Sequence, residues 1–158
     1  MAYSGAPHRA RRPPVSTPAP DDDGLRPEGV PLHRTSMSVR WGDMDALGHV
    51  NNIMYFRYFE QTRLAWYESL GFEPLASASS SMVIVDNHAE YLKPLVYPAS
   101  AIIDMGGHSP GRSSFVSTYA LHCDGELFTR GSAKVVWIDR RTGRSTPLPE
   151  LVRTLLDA

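Results

Sequence analysis

One helical stretch, Asn51 to Leu70, stands between a short strand pattern and an almost unbroken series of strand patterns. That order limits the folds open to the chain. Either Asn51 or Asn52 suits a helix N-terminus, where a short polar side chain accepts from an otherwise unpaired amide. Gly71 falls just past the far end, with Phe72 placed to fold back on the last turn. Ile53, Met54, Tyr55, Phe56, Tyr58 and Phe59 put apolar groups on nearly every side of the first turns. Such a pattern predicts a helix wrapped by other structure. Ahead of it, Thr35 to Trp41 alternates as a strand.

After Ser81, Val83, Val85, Asn87, Ala89 and Tyr91 alternate with Ile84, Asp86, His88, Glu90 and Leu92. Pro94 and Pro98 mark a turn, and Ala101 to Gly106 forms the next strand, with Gly106-Gly107 expected at a turn or bulge. Ser109-Pro110-Gly111 turns the chain again. Phe115, Ser117, Tyr119, Leu121 and Cys123 share one face of the following strand. Asp124-Gly125 is a hairpin turn that demands positive φ. A last strand runs from Leu127 to Ile138, and a short helix from Leu148 to Leu156 closes the chain. The expected architecture is α+β, an antiparallel sheet curled around a long central helix.

The 158 residues suit one domain, and 16 basic against 17 acidic side chains give no support for a general nucleic-acid binder. A single cysteine, Cys123, excludes an internal disulfide framework and a Cys-based zinc cluster. No apolar run has the length of a membrane span, and the N-terminus lacks the apolar core of a secretory signal. A cytoplasmic protein with no membrane partner is therefore expected. Residues 1–31 hold seven of the thirteen prolines and no Ile, Phe or Trp, so they read as a disordered tail that includes the Asp21–Asp23 run. The folded domain is expected over residues 32–158.

Chemistry concentrates in Val39-Arg40-Trp41-Gly42-Asp43-Met44-Asp45-Ala46-Leu47-Gly48-His49-Val50-Asn51-Asn52-Ile53-Met54-Tyr55. Here a strand gives way to a polar loop and then to a helix start. The first amides of a helix lack internal partners and carry the positive end of its dipole, which suits a developing oxyanion. A carboxylate on the preceding loop can act as general base or as nucleophile. Asp43 and Asp45 both qualify, and spacing does not choose between them. His88, His108 and His122 lack metal-ligand spacing, so no metal site is expected; there is no dinucleotide or P-loop glycine pattern, so no cofactor is expected either.

This segment resembles the signature of the hotdog-fold acyl-CoA thioesterases, the family that includes 4-hydroxybenzoyl-CoA thioesterase. The resemblance implies an enzyme that hydrolyses acyl-CoA. Its catalytic carboxylate would be the second acidic position, Asp45, and the backbone N–H of Asn52 would polarise the thioester carbonyl. Gly48-His49-Val50-Asn51-Asn52 is a "GHVNN" version of the pattern, in which His49 and Asn51 either assist at the substrate or build the turn. Tyr55, in the aromatic helix start, either lines the acyl pocket or packs in the core. Gly111-Arg112-Ser113-Ser114-Phe115 is similar to the family's "GxSS" segment, which implies that Arg112 and Ser113 lie near coenzyme A, with Arg112 suited to a phosphate. Glu60 is a lesser alternative, since some hotdog thioesterases use a helix carboxylate. The likeness spans about Thr35 to Arg140 and includes Trp137-Ile138-Asp139. It also implies a homodimer or homotetramer. Two other functions are compatible with the fold: an acyl-CoA-sensing module, and a hydratase or dehydratase. The latter's Asp-x-Asn-Pro-x-His pattern is not matched here.

Overall fold

The computed structural model describes residues 26–73 and 77–158. The tail expected over residues 1–31 lies mostly outside that range, as does the Asp21–Asp23 run. The described chain folds as β1 (Val30–Ser38), α1 (Asn52–Ser69), β2 (Ser80–Tyr91), β3 (Ser100–His108), β4 (Ser114–Cys123), β5 (Glu126–Asp139) and α2 (Glu150–Leu156). The five strands form one antiparallel sheet in the order β1-β3-β4-β5-β2. Two hairpin connections, β3–β4 and β4–β5, build the middle of that sheet, and β1 and β2 flank it. The Asp124-Gly125 turn has φ of 51° and 80°, as its sequence requires.

Strand alternation puts Phe115, Ser117, Tyr119, Leu121 and Cys123 of β4 on one buried face. The helix α1 lies across this face, burying Tyr55, Tyr58, Phe59, Thr62, Arg63, Trp66 and Tyr67 at steps of three and four. Phe59 stacks on Tyr119 at 4.6 Å between centroids, and Trp66 meets Phe115 edge-on at 5.7 Å. Each fully buried large side chain contributes about 1.5–3 kcal/mol, so the stripe holds helix to sheet without help from propensity. Asn51 caps α1 by accepting from Ile53 N–H at 3.0 Å. At the other end Gly71 takes a φ of 74°.

Several expectations need correction. The 18-residue α1 is not a long central helix enclosed on all sides. It covers one face of the sheet and leaves Ile53, Arg57, Glu60, Gln61 and Glu68 in solvent. The first strand begins at Val30, two residues before the expected domain start, and ends at Ser38; Trp41–Asp43 is a single 3-10 turn instead of a strand end. Gly106 and Gly107 sit inside β3, and the bulge is on the partner strand between Pro31 and His33. Close packing explains both glycines. A Cβ on Gly106 would lie 2.5 Å from the Glu28 carbonyl oxygen, and one on Gly107 would lie 2.6 Å from Leu156 and 2.7 Å from Leu32. A bulge at Ile84/Asp86 interrupts the alternation expected in β2 and turns Val85 outward.

Candidate active site

The loop between β1 and α1 is tied at both ends by one residue. Asp43 is only 4% exposed. Its Oδ2 accepts from Arg40 N–H at 2.8 Å and from the Tyr58 hydroxyl at 2.7 Å. Its carbonyl accepts from Asn51 N–H at 2.9 Å. Burial, reinforced by the bond to Asp43, pushes the Tyr58 phenol well above the ordinary tyrosine range. Between these ties the chain doubles back through a Met44–Val50 bridge. Asp45 N–H donates to the His49 carbonyl at 3.0 Å, and Gly48 N–H donates to the Asp45 carbonyl at 3.1 Å. Gly48 takes a φ of 82°, which a turn this tight requires. Asp45 Oδ1 accepts from Leu47 N–H at 2.8 Å, and Oδ2 has no hydrogen-bond partner among the described residues.

At the start of α1, Ile53 N–H is taken by the Asn51 side chain and Met54 N–H by the Asn51 carbonyl at 2.8 Å. Asn52 N–H has no partner among the described residues. It is therefore the donor, of the first three, that remains available to a ligand at the positive end of the helix. Beside it lies a groove of about 180 Å³ lined by His49, Asn52, Tyr55, Tyr91, Leu92 and Lys93. The Tyr91 hydroxyl donates to the Asn52 carbonyl at 3.1 Å, and its ring meets Tyr55 edge-on at 5.0 Å. Burial raises the Tyr55 and Tyr91 phenols, so both stay neutral hydrogen-bonding groups near neutral pH. His49 Nδ1 lies 3.3 Å from the Val50 carbonyl, in reach to donate to it. Trp41, Leu47, Ile53, Leu92, Val96 and Tyr97 leave large apolar surfaces exposed on the loops and helix start around this end of the molecule.

The structure thus brings His49, Asn52 and Tyr55 to one groove. Asp45 sits across a hydrogen-bonded turn from His49 and does not line the groove; Asn51 serves as the helix cap. Arg112 and Ser113 are elsewhere. They precede Ser114, the first residue of β4, and their carbonyls accept from Leu148 and Trp137 N–H. The Asp45 loop instead packs against the segment that leads into Ser100, through Val39 N–H to Ala99 and Val50 N–H to Leu95. Ser100 and Ala101 lie at the Cys123 end of β4, so the ten-residue strand separates the two groups by about 30 Å. Glu60 is exposed on the solvent side of α1. Tyr91 and Lys93 were not singled out from the sequence. The signal available was slight: Tyr91 ends an alternating strand, and only the folded chain shows it touching residue 52. A larger concavity, about 420 Å³, is lined by Arg26, Glu28, His88, Glu90 and Arg130 among others, and contains none of the expected site residues.

A carboxylate loop folded back on a helix start with a spare amide, set beside a five-stranded antiparallel sheet, is a layout for attack on a carbonyl. The family comparison agrees: residues 39–156 match the thioesterase-like superfamily, and the chain belongs to that hotdog superfamily of thioester hydrolases. Among solved structures it is similar to the PA2801 protein of Pseudomonas aeruginosa, 39% identical, with a TM-score of 0.75, over 78% of this chain and 97% of that one. It is also similar to a thioesterase of Thermus thermophilus complexed with coenzyme A and zinc, 29% identical, with a TM-score of 0.70, over 82% and 93% of the two chains. The YsmA protein of Bacillus subtilis is 24% identical over 110 residues, 69% of this chain and 74% of that one.

Proposed function

We propose that this chain hydrolyses acyl-coenzyme A thioesters, with Asp45 as general base or nucleophile and the Asn52 N–H polarising the carbonyl. The observation that carries the reading is the Asn52 amide at the open end of α1, without a partner among the described residues, beside a groove with Tyr55 and Tyr91 in its walls. A thioester oxygen placed on that amide gains negative charge as the carbonyl carbon is attacked, where the helix dipole favours it. Asp45 Oδ2, which has no hydrogen-bond partner among the described residues, takes a proton from the attacking water and returns it to the departing thiolate; alternatively it attacks the carbonyl itself and water resolves the anhydride. The similar Thermus thioesterase, held in complex with coenzyme A, supports a CoA carrier here.

His49 and Tyr55 contact the acyl group in this reading, and Asn51 acts through the cap that shapes the loop. Because the length of β4, about 30 Å, lies between Arg112 and Ser113 and the segment against which the Asp45 loop packs, they reach a bound coenzyme A at a site shared with a second copy of the chain. The apolar side chains exposed around the site are the kind of surface that another subunit covers, and a homodimer or larger homo-oligomer follows from the proposal.

The test is release of free thiol from a panel of acyl-CoAs by wild type and Asp45→Asn. Loss of the carboxylate is expected to lower kcat by roughly 10²–10⁴ if it is a general base. An Asp45→Asn enzyme with wild-type turnover would overturn the assignment. Binding of acyl-CoA with no thiol released from any member of the panel would identify a sensing module instead.

A further inference from the structure

From the two bonds that converge on Asp43 Oδ2, we infer that Tyr58 and Asp43 form a positioning pair that fixes the Asp45 carboxylate relative to the Asn52 amide. The inference rests on the thioesterase reading above and adds two residues to it, neither of which lines the groove. Three observations converge. Asp43 is bonded both to the chain before it, through Arg40 N–H, and to the helix cap after it, through Asn51 N–H. Its side chain is in turn anchored to Tyr58, on the second turn of α1, and Tyr58 is itself buried at 6% exposure. The Tyr58 ring meets Tyr55 edge-on at 6.2 Å, so the same helix turn that holds the loop also presents the groove wall.

The chain of contact therefore runs from the groove wall through Tyr58 and Asp43 to both ends of the 44–50 loop. Asp45 is two residues along that loop and Asn52 is one residue beyond its far tie. The loop, with exposed Ala46, Leu47 and Gly48 at its tip, makes no other side-chain hydrogen bond to the helix among the described residues. Without the Tyr58 hydroxyl, Oδ2 keeps only the Arg40 amide among the described residues, and the loop loses its side-chain tie to the second turn of α1, leaving the Asn51 amide on the Asp43 carbonyl as its link to the helix start. Misplacement of reacting groups by about 1 Å can cost roughly 10²-fold in rate, so a shift confined to this loop is expected to show in kcat.

The experiment compares Tyr58→Phe, Asp43→Ala and Asp43→Asn as full-length proteins, by kinetics on the best acyl-CoA and by hydrogen exchange of the 45–51 amides. Tyr58→Phe and Asp43→Ala are expected to lower kcat about tenfold or more at temperatures where both are folded, with the shape of the pH–rate profile unchanged and loop amides exchanging at least about tenfold faster. Asp43→Asn keeps a neutral oxygen where Oδ2 stands and is expected to retain most of kcat. Tyr58→Phe with wild-type kcat and wild-type loop exchange, but a lower melting temperature, would show a packing role and overturn the inference. Asp43→Asn as inactive as Asp43→Ala, beside a fully active Asp45→Asn, would make Asp43 the base and overturn the reading of the site as well. Loss of activity in Asp45→Asn together with undisturbed Tyr58→Phe would remove the positioning pair alone.

Discussion

Gly131 carries the sharpest packing demand in the sheet. It lies in β5 opposite Tyr119, and a Cβ placed on it would stand 2.8 Å from Phe59 Cζ and closer still to Cε2. Carbon atoms rest at about 3.5–4.0 Å, so Gly131→Ala requires the ring to move by about an ångström. Phe59 has little room to comply: its ring stacks on Tyr119 at 4.6 Å, and Phe56 meets it edge-on at 6.4 Å. The substitution is expected to destabilise by about 1–3 kcal/mol, less a few tenths recovered because alanine restricts the unfolded chain. For a chain of this size that corresponds to a fall in Tm of about 2–12 °C. Thermal denaturation and urea titration of wild type, Gly131→Ala, Phe59→Leu and the double variant form a mutant cycle. Phe59→Leu alone leaves a gap where the ring was, and the alanine methyl partly fills it. The double variant should therefore be more stable than the sum of the two singles by at least about 0.5 kcal/mol. Strict additivity, or a Gly131→Ala protein as stable as wild type, would refute the clash as the reason for glycine at this position.

Two further outcomes are expected. Tyr58 and Tyr119 have phenols raised by burial above the ordinary 10.0, so the unfolded chain releases these protons first. Stability should be full below about pH 10 and fall as pH rises above it, and the urea midpoint of Tyr58→Phe should fall less steeply than that of wild type between about pH 9.5 and 11.5; equal slopes would contradict this. Arg112→Ala should raise KM for acyl-CoA about tenfold while kcat stays within about twofold, since a charge-assisted contact to phosphate contributes about 1.5–3 kcal/mol. Sedimentation should then show a dimer or larger species; a strictly monomeric active enzyme would separate Arg112 from the site.

How far the sequence could be read depended on the range of the forces that shape each element. The ends of α1 were legible because the Asn51 cap and Gly71 act within four residues of the turns they terminate. So was the Asp124-Gly125 hairpin, whose two positive φ values are a local demand. The end of β1 was not. Val39-Arg40-Trp41 has strand composition, but Asp43 turns the chain there with the help of Tyr58, fifteen residues away. Gly106 and Gly107 read as a turn for the same reason: the crowding that excludes a side chain comes from Glu28, Leu32 and Leu156, remote in sequence. At the site, the Asn52 amide came from the family resemblance, since the sequence alone left Asn51 and Asn52 equal as the helix cap. The distance between Asp45 and Arg112 was not, because it is set by the length of β4 and the order of the strands.

That strand order also governs how the chain must be assembled during synthesis. The strands made first are those at the sheet's two rims: β1 pairs with β3, and β2 with β5, each across a long intervening stretch. A growing chain that has reached the end of β2 therefore holds two strands and a helix with an aromatic stripe, and none of their sheet partners. The β3–β4–β5 meander, joined by short local turns, is the template on which both earlier strands dock. The carboxylate loop, strung between β1 and α1, cannot reach its final geometry until the C-terminal half has been made. Thus the part of the chain written first in the sequence is the last to reach its final geometry, and until then its apolar surface is open to other chains.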